Sequence, residues 1–192
     1  MEILFTRHGQ TEWNVLGKVQ GRVDIPLNAT GAEQAETIRC SLAYTPFDII
    51  LTSPLKRATE TARIIRGSRD IEIKTIPELI ERDFGEFEGL ASSQFDFNAF
   101  WSYRQNLQYK KAENIQDFFE RIFNILSHIR EQYKGRKVLI VSHGGVSIPV
   151  KCFFDGIPDL DTLVNLGVKN CEVTKFSYDN RYYYTDNEEF SI

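Results

Sequence analysis

Apolar and polar positions fall in blocks that separate strands from helices along this chain. Residues 2–6 (EILFT) form a short apolar run ending at Arg7, His8 and Gly9, the length of a buried strand that opens into a loop. Loop chemistry continues to Asn28. Thr30 and Glu33 then have capping-box spacing, in which a hydroxyl and a carboxylate occupy free N–H groups at a helix start, and a helix is expected from there to about Leu42. A second strand is expected over 48–52 (DIILT), followed by Ser53 and Pro54 as N-cap and first residue of a helix ending near Gly67. The run IEIKTI at 71–76 alternates as a third, half-exposed strand before Pro77, and residues 78–89 read as irregular.

Apolar residues at 115, 118, 119, 122, 126 and 129 repeat with the helical period, predicting an amphipathic helix that runs to Tyr133 and stops at Gly135. Residues 137–142 (KVLIVS) are continuously apolar, as in a central strand covered on both faces, and end at His143, Gly144 and Gly145 before another helical segment. Residues 171–177 and 182–185, joined through 178–181, have the pattern of a terminal hairpin. This order of elements predicts an α/β protein with a mostly parallel sheet.

The 192 residues, 42% hydrophobic and 26% charged, are the balance of one globular domain without repeats or linkers. With 23 basic and 27 acidic residues the net charge is −4, so there is no global positive field to hold nucleic acid or an anionic membrane, and any anion site must be local. Cys40, Cys152 and Cys171 are odd in number, widely spaced and without a CxxC pair, which argues against a disulfide framework or zinc knuckle. They read as packing residues of a protein in a reducing compartment. No apolar run reaches membrane-spanning length and no basic segment leads an apolar stretch, so a cytoplasmic location is expected.

Ligands of open α/β sheets bind beyond the carboxyl ends of the strands. Arg7 and His8 follow the first strand, Arg57 lies in the first turns after the second, and His143 follows the central one. Two guanidinium forks, two imidazoles and a Gly-Gly opening a helix describe a pocket for a compact, multiply charged anion, with phosphate the obvious candidate.

These residues lie in motifs that resemble the histidine phosphatase superfamily, the phosphoglycerate mutase-like proteins. Its blocks appear in order: LFTRHGQTEWN at 4–14; VQGRVDIPL at 19–27, then Gly31, Gln34 and Ala35; SPLKRA at 53–58 with Thr61 and Ala62; LIERDFGEFEG at 79–89; and VSHGG at 141–145. The resemblance covers nearly the whole chain except about 91–112, and implies a three-layer α/β/α fold. It implies that His8 is a nucleophile that forms a phosphohistidine, with neighbouring arginine charge keeping the imidazole neutral. Arg7, Arg57 and His143 would hold the phosphoryl oxygens, and Glu81 would be the general acid, picked out among Glu78, Asp83, Glu86 and Glu88 by its place in the motif. Asn14, Gln20, Gly21 and Gly144 match phosphate or substrate contacts. Arg82 matches the arginine that follows the acid in mutases and helps bind substrate there. Neither metal nor other cofactor is implied.

The expected activity is therefore hydrolysis of a small phosphorylated metabolite. A bisphosphoglycerate-dependent mutase is the first alternative, disfavoured because mutases carry a longer, basic insertion at 91–112. A catalytically idle module that binds phosphate esters or a protein is the second, disfavoured by the full set of site residues. Phe95, Phe97, Phe100, Trp101, Tyr103 and Tyr109 lie in 91–112 and form either a helical lid over the substrate or packing onto the core. His128, within the long helix, reads as structural or exposed, and Tyr182–Tyr184 on an edge hairpin offers a surface for a homodimer.

Overall fold

The computed structural model describes residues 1–178 and the backbone of a strand at Tyr183–Asp186. The chain builds β1 (Glu2–Arg7), a single turn α1 (Glu12–Val15), α2 (Ala29–Ser41), β2 (Ile49–Thr52), α3 (Lys56–Arg66) and β3 (Glu72–Thr75). Then follow a turn α4 (Phe97–Phe100), α5 (Ile115–Gln132), β4 (Lys137–Ser142), α6 (Gly144–Asp155), β5 (Val173–Tyr178) and β6 (Tyr183–Asp186). The strands form one sheet in the order β3-β2-β4-β1-β5-β6. The ladders joining β3, β2, β4 and β1 are parallel, and β5 and β6 are added antiparallel.

Side chains alternate across the sheet, so each strand feeds two cores. Ile3, Phe5, Ile49, Leu51, Val138 and Ile140 face α5 and α6, whereas Leu4, Ile50, Leu139 and Val141 face α2 and α3 through Ile38, Leu42, Ala58, Ala62 and Ile65. This is the expected three-layer arrangement. The continuous apolar run of β4 is explained by its place between β1 and β2, buried on both faces. All six apolar positions read as the face of α5 are buried.

Register decides what meets at the carboxyl edge. Arg7 pairs with Ser142 and Thr52 with Val141, so the residues that follow β1, β2 and β4 leave the sheet side by side. The His8 N–H donates to Ser142 O at 2.9 Å and the Ser53 N–H to Val141 O at 3.1 Å.

Two helix starts differ from the sequence reading. The α2 cap is Asn28 rather than Thr30: its side chain accepts the Gly31 N–H at 2.8 Å, and Thr30 lies exposed within the first turn. Ser53 and Pro54 precede α3 without capping it, and the free Lys56 N–H is taken by Asp24 of a distant loop at 2.8 Å. Ser53 instead reaches across to His143. The segment 91–112 is helical only in part, with a 3-10 turn at Ser92–Gln94, α4 and coil. Cys152 is buried and Cys171 half-buried, but Cys40 is exposed and does not pack; His128 is exposed. Residues 179–182, which hold Tyr182 and all but the first residue of the expected connection at 178–181, and the side chains of β6 lie outside the described residues, and with them the expected dimer surface.

The start of α2 crosses the loop after β1 at two bare glycines. A Cβ on Gly31 would fall 2.1 Å from Gln10 O, and one on Gly9 would fall 2.2 Å from Gly31 O. Gly31→Ala is expected to cost about 1–3 kcal/mol in urea unfolding as the two backbones separate. Because the loop carries His8, kcat should fall by as much as about 10²-fold.

Candidate active site

A pocket of about 320 Å³ opens at the carboxyl ends of β1 and β4. Of the residues the motifs single out, Arg7, His8, Asn14, Gln20, Gly21, Arg57, Glu81 and Gly144 line it. His143 has no exposed surface and lies edge-to-face against His8, with ring centroids 5.2 Å apart. Arg82 is not part of the wall.

Hydrogen bonding determines which nitrogen of His8 carries the lone pair. Its Nδ1 lies 2.7 Å from Gly9 O, and a carbonyl can only accept, so Nδ1 carries the proton. Nε2 therefore carries the lone pair, and Arg57 Nε–H donates to it at 3.2 Å. Burial, then the charges of Arg57 and Arg7, hold the His8 pKa well below 6.5 against the opposing pull of the Gly9 carbonyl.

Arg57 is 1% exposed and, among the described residues, has no carboxylate on its fork. Its Nη1 and Nη2 donate to Val23 O and Gly21 O, both at 2.8 Å, and burial lowers its pKa to about 10. Those carbonyls stay in place because Glu88 accepts the N–H groups of Arg22, Val23 and Phe84. Gly21 has φ +54° and a Cβ there would strike the Glu88 carboxylate, so the glycine is required twice over. Arg7 donates to Val168 O at 3.2 Å while its buried Nε has no partner among the described residues, and it lies against Gly144, where a Cβ would come 3.1 Å from its Cζ.

Glu81 is nearly buried and accepts the Arg82 N–H at 2.9 Å and the Gly145 N–H, in the first turn of α6, at 3.0 Å. Those bonds and the charges of Arg57 and Arg7 favour the carboxylate, but burial outweighs them and its pKa is raised above 4.5. Ser142 Oγ–H on Leu79 O (2.7 Å) and Arg121 on Ile80 O (3.0 Å) hold the backbone that presents it.

His143 Nε2 is 2.6 Å from Ser53 Oγ, and its Nδ1 is buried without a partner among the described residues. Burial and the nearby cations hold its pKa well below 6.5. Asn14 and Gln20 each have the amide oxygen engaged, by Thr11 in both cases, and the amide nitrogen of Gln20 free of any hydrogen bond to described residues. The pocket thus gathers cationic, amide and helix N-terminal donors around one lone-pair nitrogen and one protonatable carboxyl.

Sequence reasoning missed the supports. Ser53 reads as a cap because a serine before proline at a strand end looks the same whether it turns back or reaches sideways. Thr61 accepts the Gly9 N–H at 3.1 Å, and Asn170 donates to His8 O at 2.8 Å. Thr61 carried only a place in a motif, and Asn170 carried no signal. Arg82 is fully buried, donates to Phe100 O and Glu113 O, and lies 3.8 Å over the Phe100 ring. The structure therefore places it as an anchor for 91–112, away from the pocket. Phe97 and Trp101 of that segment line the pocket while Phe100 packs into the core, so the segment is wall and core together. Among the described residues no cluster of three or more metal-ligating side chains occurs, and no helix is long and apolar enough to cross a membrane.

The family model of the histidine phosphatase superfamily (branch 1) matches residues 3–186. An uncharacterized phosphatase, PhoE, of Bacillus subtilis is 36% identical over 173 residues, 88% of this chain and 87% of that protein. The structure of Bacillus stearothermophilus YhfR superposes with a TM-score of 0.88 at 30% identity, covering 100% of this chain and 98% of that one. A phosphoserine phosphatase from Entamoeba histolytica, in complex with 3-phosphoglyceric acid, gives 0.86 at 28% identity, covering 99% and 97%.

The depressed histidines tie stability to pH. A group whose pKa lies below 6.5 only in the folded state contributes stability that is present above 6.5 and lost as the pH falls from there, because the unfolded chain takes up protons the folded one refuses. Urea unfolding between pH 7 and 5 should therefore show falling stability, with a shallower fall in His8→Asn and His143→Asn. Equal slopes in all three proteins would contradict the neutral assignments.

Proposed function

As the chain belongs to the histidine phosphatase superfamily, branch 1, and is a phosphatase of that family, we propose that it hydrolyses small phosphomonoesters through a phosphohistidine on His8 Nε2. The observation that carries this reading is the pairing of a lone-pair Nε2 with a buried, protonatable Glu81 in one pocket. The phosphoryl group sits at the N-terminus of α6 among Arg7, Arg57 and the free amides, where charge-assisted bonds are strongest. Its anionic oxygens compete with a neutral imidazole for the Arg57 N–H and free the His8 lone pair. Ser53 Oγ–H has no other acceptor among the described contacts, so it donates to His143 Nε2 and leaves Nδ1–H to bind a phosphoryl oxygen.

His8 Nε2 attacks phosphorus as the bond to the ester oxygen breaks, and Glu81 delivers its proton to that oxygen. The resulting carboxylate then takes a proton from the water that attacks phosphorus, the P–N bond breaks, and phosphate and the starting enzyme result. A mutase reading is not favoured. Beyond Arg7 and Arg57 the only cation in the wall among the described residues is Lys18, and Val19, Phe84, Phe97, Trp101, Ile148, Val164 and Val168 supply much of the rest. A site that grips a second phosphate or a carboxylate needs more donors there. Three widely spaced thiols suit a cytoplasmic enzyme.

Phosphate release from a panel of phosphoesters in excess chelator, with an isomer readout for 3-phosphoglycerate, tests the proposal. Release should resist the chelator and vanish in His8→Ala. Glu81→Ala should lose about 10²- to 10⁴-fold on alkyl esters and far less on p-nitrophenyl phosphate, whose leaving group needs no proton. Isomerisation without release would favour a mutase, and phosphate binding without turnover of any ester would favour a binding module.

A further inference from the structure

Gly145 is the meeting point of two side chains from distant parts of the chain. A Cβ built there would fall 2.2 Å from Glu81 Oε1 and 2.9 Å from Cη2 of Trp101, so the carboxyl and the far edge of the indole converge on the same bare residue. Trp101 is 2% exposed and is gripped on its other sides: edge-to-face by Phe84, Phe97, Phe100 and Phe118, with the Arg82 guanidinium 5.0 Å over its ring. Its carbonyl accepts the Leu163 N–H at 3.0 Å, and both Trp101 and Glu81 line the pocket.

We infer that Trp101 is a positioning residue for the acid: its indole seals the Glu81 carboxyl from water and so sets the pH range over which Glu81 keeps the proton it donates. The inference rests on the proposed role of Glu81. Nearly everything else around that carboxyl favours its charged form. Arg7 at the end of β1 and Arg57 on α3 face it, and the N–H groups of Arg82 and Gly145 bond it. Arg82 gives its side-chain hydrogen bonds to the carbonyls of Phe100 and Glu113 but its charge still acts on Glu81 and favours the carboxylate, and Arg22 donates to the Glu81 carbonyl rather than the carboxyl. The imidazoles of His8 and His143 are neutral, Lys18 stands on the exposed rim, and Gly144 and Gly145 bring no side chain. What opposes ionisation is exclusion of water, and burial is indeed the dominant influence on this group. The indole edge is the apolar surface at that point.

The test is the pH dependence of kcat/KM on an alkyl phosphate for wild type, Trp101→Phe, Trp101→Leu and Glu81→Gln, with an infrared titration of the Glu81 carboxyl in the substrate-free proteins. The carboxyl band is identified as the one missing in Glu81→Gln. Substrate ionisation is common to all four, so differences between profiles belong to the enzyme. Trp101→Phe keeps an aromatic anchor but shortens the reach to Gly145; Trp101→Leu removes the ring. In both, the alkaline limb and the infrared midpoint should move to lower pH, by about one unit or more in the leucine variant. If Trp101→Leu does not fold, Trp101→Phe carries the same readout. A folded Trp101 variant that loses stability or rate while both midpoints stay put overturns the inference and leaves Trp101 as packing. Persistence of the alkaline limb in Glu81→Gln overturns the acid role itself, and the inference with it, whereas loss of the limb there with unmoved Trp101 variants refutes the inference alone.

Discussion

The contact between the Arg57 guanidinium and His8 Nε2 is the interaction on which the rest of the site depends. It places a full charge, almost without solvent, against a neutral base, and a buried charge must be satisfied locally or neutralised. The carbonyls of Gly21 and Val23 do part of that work, which requires a loop of fixed shape, which requires Glu88 to collect three N–H groups and Gly21 to take a positive φ. On the other side the cation depresses the imidazole, and the Gly9 carbonyl holds the remaining ring proton on Nδ1. One arginine thus links protonation state, tautomer and loop geometry.

The same economy appears in the two glycines after β4. A helix N-terminus offers N–H groups to an anion only if nothing crowds it. Gly144 clears room for the Arg7 fork and Gly145 for the Glu81 carboxyl and the Trp101 edge. A motif that reads as a helix start is therefore also a packing requirement between residues far apart in the chain.

The segment 91–112 does not divide into lid or core. Arg82 ties it down by the Phe100 carbonyl and ring face and by the Glu113 carbonyl just beyond it, Phe100 and Trp101 are buried with α5, and Phe97 and Trp101 line the pocket. A buried arginine in such a role looks like a ligand-binding one in sequence, because both uses call for a planar cation with several donors. Only the direction of the side chain separates them.

By itself the sequence determined the α/β order, the central place of the KVLIVS strand and the amphipathic α5, and it singled out Arg7, His8, Arg57, Glu81 and His143, which the fold brings together at one pocket. These are local properties: periodicity, chain punctuation and chemistry carried by contiguous motifs. It misplaced the caps at Thr30 and Ser53, since a cap is recognised by spacing whereas the side-chain oxygen that fills it is whichever stands nearest in space. Asn28, and Asp24 from a distant loop, won those positions. The tertiary structure decided the tautomer of His8, the use of Ser53 against His143, the burial of Arg82 and the convergence of Glu81 and Trp101 on Gly145. Each of these depends on strand register and on distances between residues remote in sequence, and a pattern read along one dimension carries no information about how closely such residues approach.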